Sequence, residues 1–179
     1  HRDLHSFPTR RSSDLAAVGI TRIEPGDIYE GRSVDETYAI AIGQRMLWKH
    51  FQTVPSQESG VECCRVYYDL GEVCIAVAEA LRERGYPARV EDPVGDSDLM
   101  HIPIALRAGF GELGRHGSII HPDLGPLFRL GTVVTDLPMK CDEPLDLGIA
   151  EFCDRCKACQ KYCPADAIQI GRASCRERV

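Results

Sequence analysis

Apolar and polar positions along the chain follow two rhythms. Between Val61 and Arg84, the residues Val66, Leu70, Val73, Cys74, Val77 and Leu81 recur at steps of three and four, and Glu72, Glu79, Arg82 and Glu83 fill much of the other side. That spacing predicts a helix with one buried stripe, stopped by Gly85. Tyr38–Gly43 (YAIAIG) is a compact apolar run and Leu130–Thr135 (LGTVVT) is β-branched and apolar, so both read as buried strands. Between the first strand and the long helix, Gln44–Phe51 reads as a short helix with Met46, Leu47, His50 and Phe51 on one side, and Pro55–Gly60 as a loop. Ala16–Ile28, interrupted by Pro25-Gly26, is a strand or loop. Tyr86–Val90 reads as a strand, Glu91–Asp98 as an acidic loop, and Ile102–Phe110 as a second helix with Pro103 tolerated in its first turn. Asp136–Leu147 is an irregular linker. The sum is an α/β domain.

A glycine-rich section, GFGELGRHGSIIHPDLG, follows the second helix. Gly109, Gly111, Gly114, Gly117 and Gly125 permit positive φ or a close approach of backbone to a flat ligand. The section lacks the Lys-Ser/Thr ending of a phosphate loop.

The two ends change how the rest is counted. His5–Asp14 (HSFPTRRSSD) and Ile170–Val179 (IGRASCRERV) are translations of opposite strands of one nucleotide sequence, matching over ten codons in one register. His1–Leu15 and Ile170–Val179 therefore read as sequencing-adapter text, and the natural stretch is expected to be Ala16–Gln169, cut at both ends. Arg10-Arg11 then carries no export signal. Compartment stays open between cytoplasmic and exported by a twin-arginine leader. Setting aside six Lys/Arg and three Asp/Glu in those ends leaves 15 against 24, a net charge of −9 in place of −6. An acidic balance argues against nucleic-acid binding. No apolar run approaches the roughly 20 residues of a membrane span. Of the nine cysteines, Cys175 falls in the adapter text, and Cys63, Cys64, Cys74 and Cys141 are scattered and read as buried thiols.

The remaining four carry the chemistry. Cys153, Cys156, Cys159 and Cys163 stand in the spacing C-x2-C-x2-C-x3-C-P, ending on Pro164. Zinc sites usually pair two C-x2-C knuckles across a longer loop, whereas this run is that of a 4Fe–4S cluster. In two-cluster ferredoxin-type domains the fourth cysteine serves the other cluster, whose own motif is absent downstream of Cys163. Cys153, Cys156 and Cys159 are thus expected on one cluster and Cys163 on a second, with Pro164 opening a following helix.

From about Tyr67 to Ile168 the text resembles the catalytic subunit of corrinoid-dependent reductive dehalogenases. The matching phrases are HIPIALRAGFGELGRHGSIIHPDLGPLFRLGTVVTDLPM and EPLDLGIAEFCDRCKACQKYCPADAI. The related epoxyqueuosine reductases share the glycine-rich section and the cluster. They carry a W-I-G-K segment where this chain has Leu113-Gly114-Arg115-His116, and they lack the lead-in Glu151–Cys153. The dehalogenase branch is the closer resemblance.

The resemblance implies a partial cobalamin-binding domain of nitroreductase-like fold over 16–147, then the start of a two-cluster ferredoxin-type segment over 148–169. It implies base-off cobalamin, held by the section containing Gly109, Gly111, Gly114, Arg115, His116 and Gly117, with electrons passing from distal to proximal cluster and on to cobalt. Co(I) would then attack an organohalide at carbon or halogen, and a tyrosine would give the proton. Carried over by position, that tyrosine is Tyr67, with Tyr68 an immediate rival, and the neighbouring cation is Arg129. A phenol of ordinary pKa about 10 is a poor acid at neutral pH, and a guanidinium stabilises the phenolate left behind. The family's polar position, often Asn, falls on Asp96. A carboxylate there repels the departing halide unless it is protonated or paired with Arg129, which leaves room for a different substrate. Implied partners are a small-molecule substrate and an electron-donor protein or quinol-linked reductase, with membrane association only through an unseen partner or anchor. Nucleic acid enters only on the epoxyqueuosine reading. A third reading is a ferredoxin-like electron carrier without corrinoid. On any reading the chain alone is expected to be inactive. His101, His116 and His121, fifteen and five residues apart, do not fit one helical face as a ligand set.

Overall fold

The computed structural model describes residues 15–163, 165, 167 and 168. The two end segments read above as adapter text lie outside that range apart from Leu15, as do Arg10-Arg11, Pro164 with its expected helix start, and Cys175. A four-stranded sheet organises the rest, with the order β1 (Leu15–Arg22), β2 (Tyr38–Arg45), β6 (Phe128–Thr135) and β3 (Ala88–Glu91). Each of its pairings is antiparallel. β2 and β6 lie at its centre because their residues are buried on both faces.

Two helices cover the two faces. α2 (Gln57–Glu83) lays Leu70, Cys74, Ala78 and Leu81 on Ile40, Ile42 and Val133. α3 (His101–Arg107) puts Ile104 and Ala105 against Ala39, Ala41, Phe128 and Val134, with Phe110 completing the cluster. Full burial of a side chain such as Leu70 contributes roughly 1.5–3 kcal/mol. Gly131 allows the long helix to come this close, since a Cβ there would lie 2.8 Å from the Cys74 sulfur. Burial also pushes the Cys74 thiol up to about 12, so that cysteine is packing and not a ligand.

Several boundaries differ from the sequence reading: α3 ends at Arg107 and not Phe110, β3 starts at Ala88 and not Tyr86, and β6 starts at Phe128 and not Leu130. Gln44 and Arg45 belong to strand β2, and the helix that follows, α1, covers only Trp48–Phe51. α2 starts at Gln57 inside the expected loop because Ser56 caps it. The Ser56 hydroxyl accepts from the Ser59 amide at 3.1 Å, and the Ser59 hydroxyl accepts from the Ser56 amide at 3.3 Å. Its other end is the expected one, at Gly85 with φ of +86°. The glycine-rich section is a small hairpin, β4 (Glu112–Leu113) with β5 (Ile119–Ile120). Beyond the linker lie two short helices, α4 (Ile149–Cys156) and α5 (Ala158–Lys161). Among the described residues, no helix is long and apolar enough to cross a membrane.

Candidate functional site

The first half of α2 crosses the sheet at the start of β6. There the guanidinium carbon of Arg129 stands 5.2 Å from the centroid of the Tyr67 ring. The fold thus joins two residues that lie far apart in the chain. The Arg129 Nη2 donates to the Cys63 sulfur at 3.4 Å, one helical turn before Tyr67. Its Nε is buried with no hydrogen-bond partner. Tyr68, the rival, is 69% exposed.

Gln44 lies directly across from Arg129 in the β2–β6 register, so both side chains leave the sheet on the α2 face. Gln44 is 2% exposed, and its Oε1 is buried without a partner. The sequence reading missed it by ending the strand too early. The signal was present, since Ile40, Ile42 and Gln44 keep the period of two.

Glu62, buried at the same end of α2, is tied inward. It accepts from the Leu47 amide at 2.7 Å and from the Arg65 guanidinium, which holds its carboxyl below the usual range despite burial. It anchors the chain leaving β2 to the helix.

Asp96 is not gathered into this group. Its carboxylate is 81% exposed and pairs with Arg32 at 2.9 Å, where the resemblance had left a pairing with Arg129 open. Arg32, between β1 and β2, also reaches Asp98, which pairs with Arg89 at 3.0 Å as well.

The three histidines are separately occupied. His101 Nε2 donates to the Asp92 carbonyl at 3.1 Å, which leaves Nδ1 to accept from the Thr132 hydroxyl at 2.8 Å. The rings of His116 and His121 each accept a backbone amide two residues on, from Ser118 and Asp123. Burial lowers the pKa of all three.

The β4–β5 hairpin meets the cysteine segment. Glu112 Oε2 accepts the amides of Leu147 (2.6 Å) and Ile149 (2.9 Å), capping the start of α4. Arg115, at the hairpin turn, pairs with Asp154 between Cys153 and Cys156. The glycines make this closure possible. A Cβ at Gly111 would lie 2.1 Å from the Ile120 carbonyl oxygen, and one at Gly109 would lie 2.9 Å from that of Glu143. At Gly114 it would meet the His116 ring at 2.8 Å. Gly117 turns the hairpin at φ of +83°. The space that the glycines leave is therefore filled by the chain itself, where the sequence reading kept it for a flat ligand.

Cys153 and Cys156 are three residues apart on α4 and share a side of it. Lys157, left-handed at φ of 51°, breaks the helix before Cys159 on α5. The Cys163 sulfur accepts from the Ala167 amide at 3.4 Å. Among the described residues, no three His, Cys, Asp or Glu side chains converge as a metal site. The donor set nevertheless fits an iron–sulfur cluster by its chemistry, since its four donors are all thiols and the carboxylate within the spacing, Asp154, is engaged by Arg115. A corrin fits at one point: the Arg115 Nε is buried without a partner beside the hairpin, where an amide carbonyl of a corrin rim could accept from it.

No family model matches the chain. It is 38% identical over 121 residues to the tetrachloroethene reductive dehalogenase of Dehalobacter restrictus, covering 68% of this chain and 21% of that protein. The enzyme of the same name from Sulfurospirillum multivorans is 33% identical over 136 residues, or 74% of this chain and 26% of that protein. The epoxyqueuosine reductase of Escherichia coli is 35% identical over 75 residues, or 42% and 19%. Among solved structures, a reductive dehalogenase of B12-dependent chemistry superposes with a TM-score of 0.81 at 30% identity, over 88% of this chain and 24% of that one. The epoxyqueuosine reductase of Streptococcus thermophilus shares the fold, with a TM-score of 0.63 at 17% identity over 87% and 50%. The chain spans about a fifth of the length of the first curated relatives it matches. Both sets of relatives are oxidoreductases.

Proposed function

We propose that this chain, a homologue of the reductive dehalogenases, carries the proton-donating side and the first cysteine motif of a corrinoid- and iron–sulfur-dependent reductase acting on an organohalide. The observation that carries the reading is the contact between Tyr67 and Arg129 at 5.2 Å, assembled by the fold from two positions that were carried over from the sequence resemblance. When bound, the corrinoid would supply low-valent cobalt for reduction of a carbon–halogen bond, and the clusters would supply single electrons. Cys153, Cys156 and Cys159 hold the nearer cluster, and Cys163 serves a second. The hairpin from Gly109 to Gly117, with Arg115 and His116, would hold the corrin rim, for which the buried Arg115 Nε is an unpartnered donor.

Tyr67 gives its hydroxyl proton to the carbon that loses the halogen. Arg129, stacked on the ring, opposes the charge left on the phenol oxygen. Arginine suits the position because it stays charged under partial burial. Asp96, exposed and neutralised by Arg32, is assigned no step.

The test is to load the intact protein with corrinoid, iron and sulfide and to follow halide release from tetrachloroethene. Tyr67→Phe is expected to lower kcat by about 10²-fold or more while the cob(II)alamin EPR signal remains. Absence of corrinoid uptake, or full turnover in Tyr67→Phe, overturns the reading. Rescue of queuosine in tRNA by the intact gene, with no halide release, moves it to the epoxyqueuosine branch, which the matched identity also supports over a shorter stretch.

A further inference from the structure

Arg129 is held differently from the other half-buried arginines of the chain. Arg65, Arg89, Arg107 and Arg115 each pair with at least one carboxylate. Among the described residues Arg129 pairs with none. Its hydrogen bond runs from Nη2 to the Cys63 sulfur at 3.4 Å, and its Nε–H is buried and unbonded. Gln44 stands directly across the β2–β6 ladder with a carbonyl oxygen to offer, and the two do not bond. Cys63 and Tyr67 are four residues apart on α2, so their side chains are neighbours on one face of the helix. The guanidinium spans them, bonded to the sulfur and with its carbon 5.2 Å from the ring centroid. A long side chain keeps such a position only where something holds its head group, since ordering it costs rotamer freedom.

We propose that Cys63 is a positioning residue of this site, whose sulfur holds the Arg129 guanidinium over Tyr67 without neutralising it. The inference rests on the functional reading above, in which Arg129 opposes the charge left on the phenol oxygen, and it adds the residue that sets where that positive charge lies. The use of sulfur has a physical reason, and the same helix shows the alternative. One turn away, Glu62 binds Arg65 in a fork, accepting from Nε and Nη2 at 2.8 Å each. A carboxylate at position 63 would grip Arg129 in that way. Its negative charge would then stand beside the phenol oxygen and cancel the field that the guanidinium supplies there. A thiol accepts the N–H more weakly and leaves the cation uncompensated. Cys63 takes no chemical step of its own and acts through Arg129.

Two measurements on Cys63→Ala, Cys63→Ser and Cys63→Asp test this. The first is NMR of the 179-residue chain, with the Arg129 side-chain signals identified by their loss in Arg129→Lys. A bond to one Nη slows rotation about the Nε–Cζ bond. Separate Nη signals are therefore expected in the parent, in Cys63→Ser and in Cys63→Asp, and a single averaged signal in Cys63→Ala. The second is halide release by the intact, corrinoid-loaded protein. Cys63→Ala and Cys63→Asp are both expected to lower kcat about tenfold, with KM within about twofold of the parent. Cys63→Ser should keep most of the parent's rate. The Asp variant separates positioning from packing, because it holds the arginine and still loses rate. Separate Nη signals in Cys63→Ala overturn the inference, as does a Cys63→Asp protein that turns over as fast as the parent. A Cys63→Ser protein as slow as Cys63→Ala overturns it too, since an acceptor at 63 would then not be what matters. The NMR readout needs no corrinoid. Failed corrinoid uptake removes the functional reading and leaves the hold on Arg129 standing, whereas averaged Nη signals in the parent remove the hold and leave that reading intact.

Discussion

Two regions of this molecule were expected to carry chemistry, and they are built in opposite ways. Tyr67 and Arg129 are remote in the chain and adjacent in space, because α2 and β6 must pack to bury Leu70, Cys74 and Val133. The four cysteines are adjacent in the chain, yet they do not converge in space among the described residues. The first arrangement is a by-product of burial and needs no ligand to form. The second has no core beneath it, since α4 and α5 bury none of their residues. Its geometry is left to whatever the thiols bind, so that ligand binding and local folding are one event.

The largest effect that can break this contrast is the loss of a thiol. With iron and sulfide supplied to the chain, Cys156→Ser is expected to abolish the visible iron–sulfur absorbance, while Cys163→Ser holds its cluster as well as the parent does. Neither should move the thermal transition of the sheet. A Cys156→Ser chain that unfolds earlier would show that the cysteine segment and the sheet form a single cooperative unit, and the contrast would fail.

The difference also explains what could be read from residues alone. The stripe of α2 and the runs of β2 and β6 were legible because burial imposes a period. The start of α2 was not, since Ser56 and Ser59 cap each other within a run of loop-forming residues and no Glu marks the box. Gln44 was overlooked although Ile40, Ile42 and Gln44 keep the period of two, because a polar residue after an apolar run reads as the end of the strand. Tyr67 and Arg129 came from resemblance and not from spacing, because no local pattern links two positions on different elements. The glycines of the hairpin were legible as backbone requirements but not in their object. Glu143, Ile120 and His116 fill the places that a ligand was expected to take.

A smaller effect sharpens the contrast through pH. His101 bonds Thr132 of β6 and the Asp92 carbonyl, so it belongs to the sheet region. Burial lowers its pKa from 6.5, although Glu91 and Asp92 oppose the shift. A folded-state pKa below the unfolded one means that the unfolded chain binds more protons as the pH falls. Its contribution is therefore complete above about 6.5 and is lost as the pH drops through the folded value. The Tm should fall between pH 7 and 5, and less steeply in His101→Gln, with His116 and His121 supplying the remainder. An identical slope in the variant would place the titrating group elsewhere.

The smallest effect concerns the joint between the regions. Glu112 accepts two amides at the start of α4, and Arg115 pairs with Asp154 in the same helix, so the hairpin holds the cysteine segment at two points. Removing one helix cap costs about 1 kcal/mol, which is a factor of roughly five in an opening equilibrium. Because α4 has no buried residues to resist the loss, Glu112→Ala should fall on α4 alone. Amide exchange from Phe152 to Lys157 is expected to quicken about fivefold, while that of Ile40–Ile42 and Val133–Thr135 stays unchanged. Faster exchange in both sets would mean that strain passes from the hairpin into the sheet through Phe110 and Ile119, which belong to the α3-side core. In that case the geometry at Tyr67 and Arg129 would depend on whether the cysteine segment is docked, and the two regions would have to be treated as a single site.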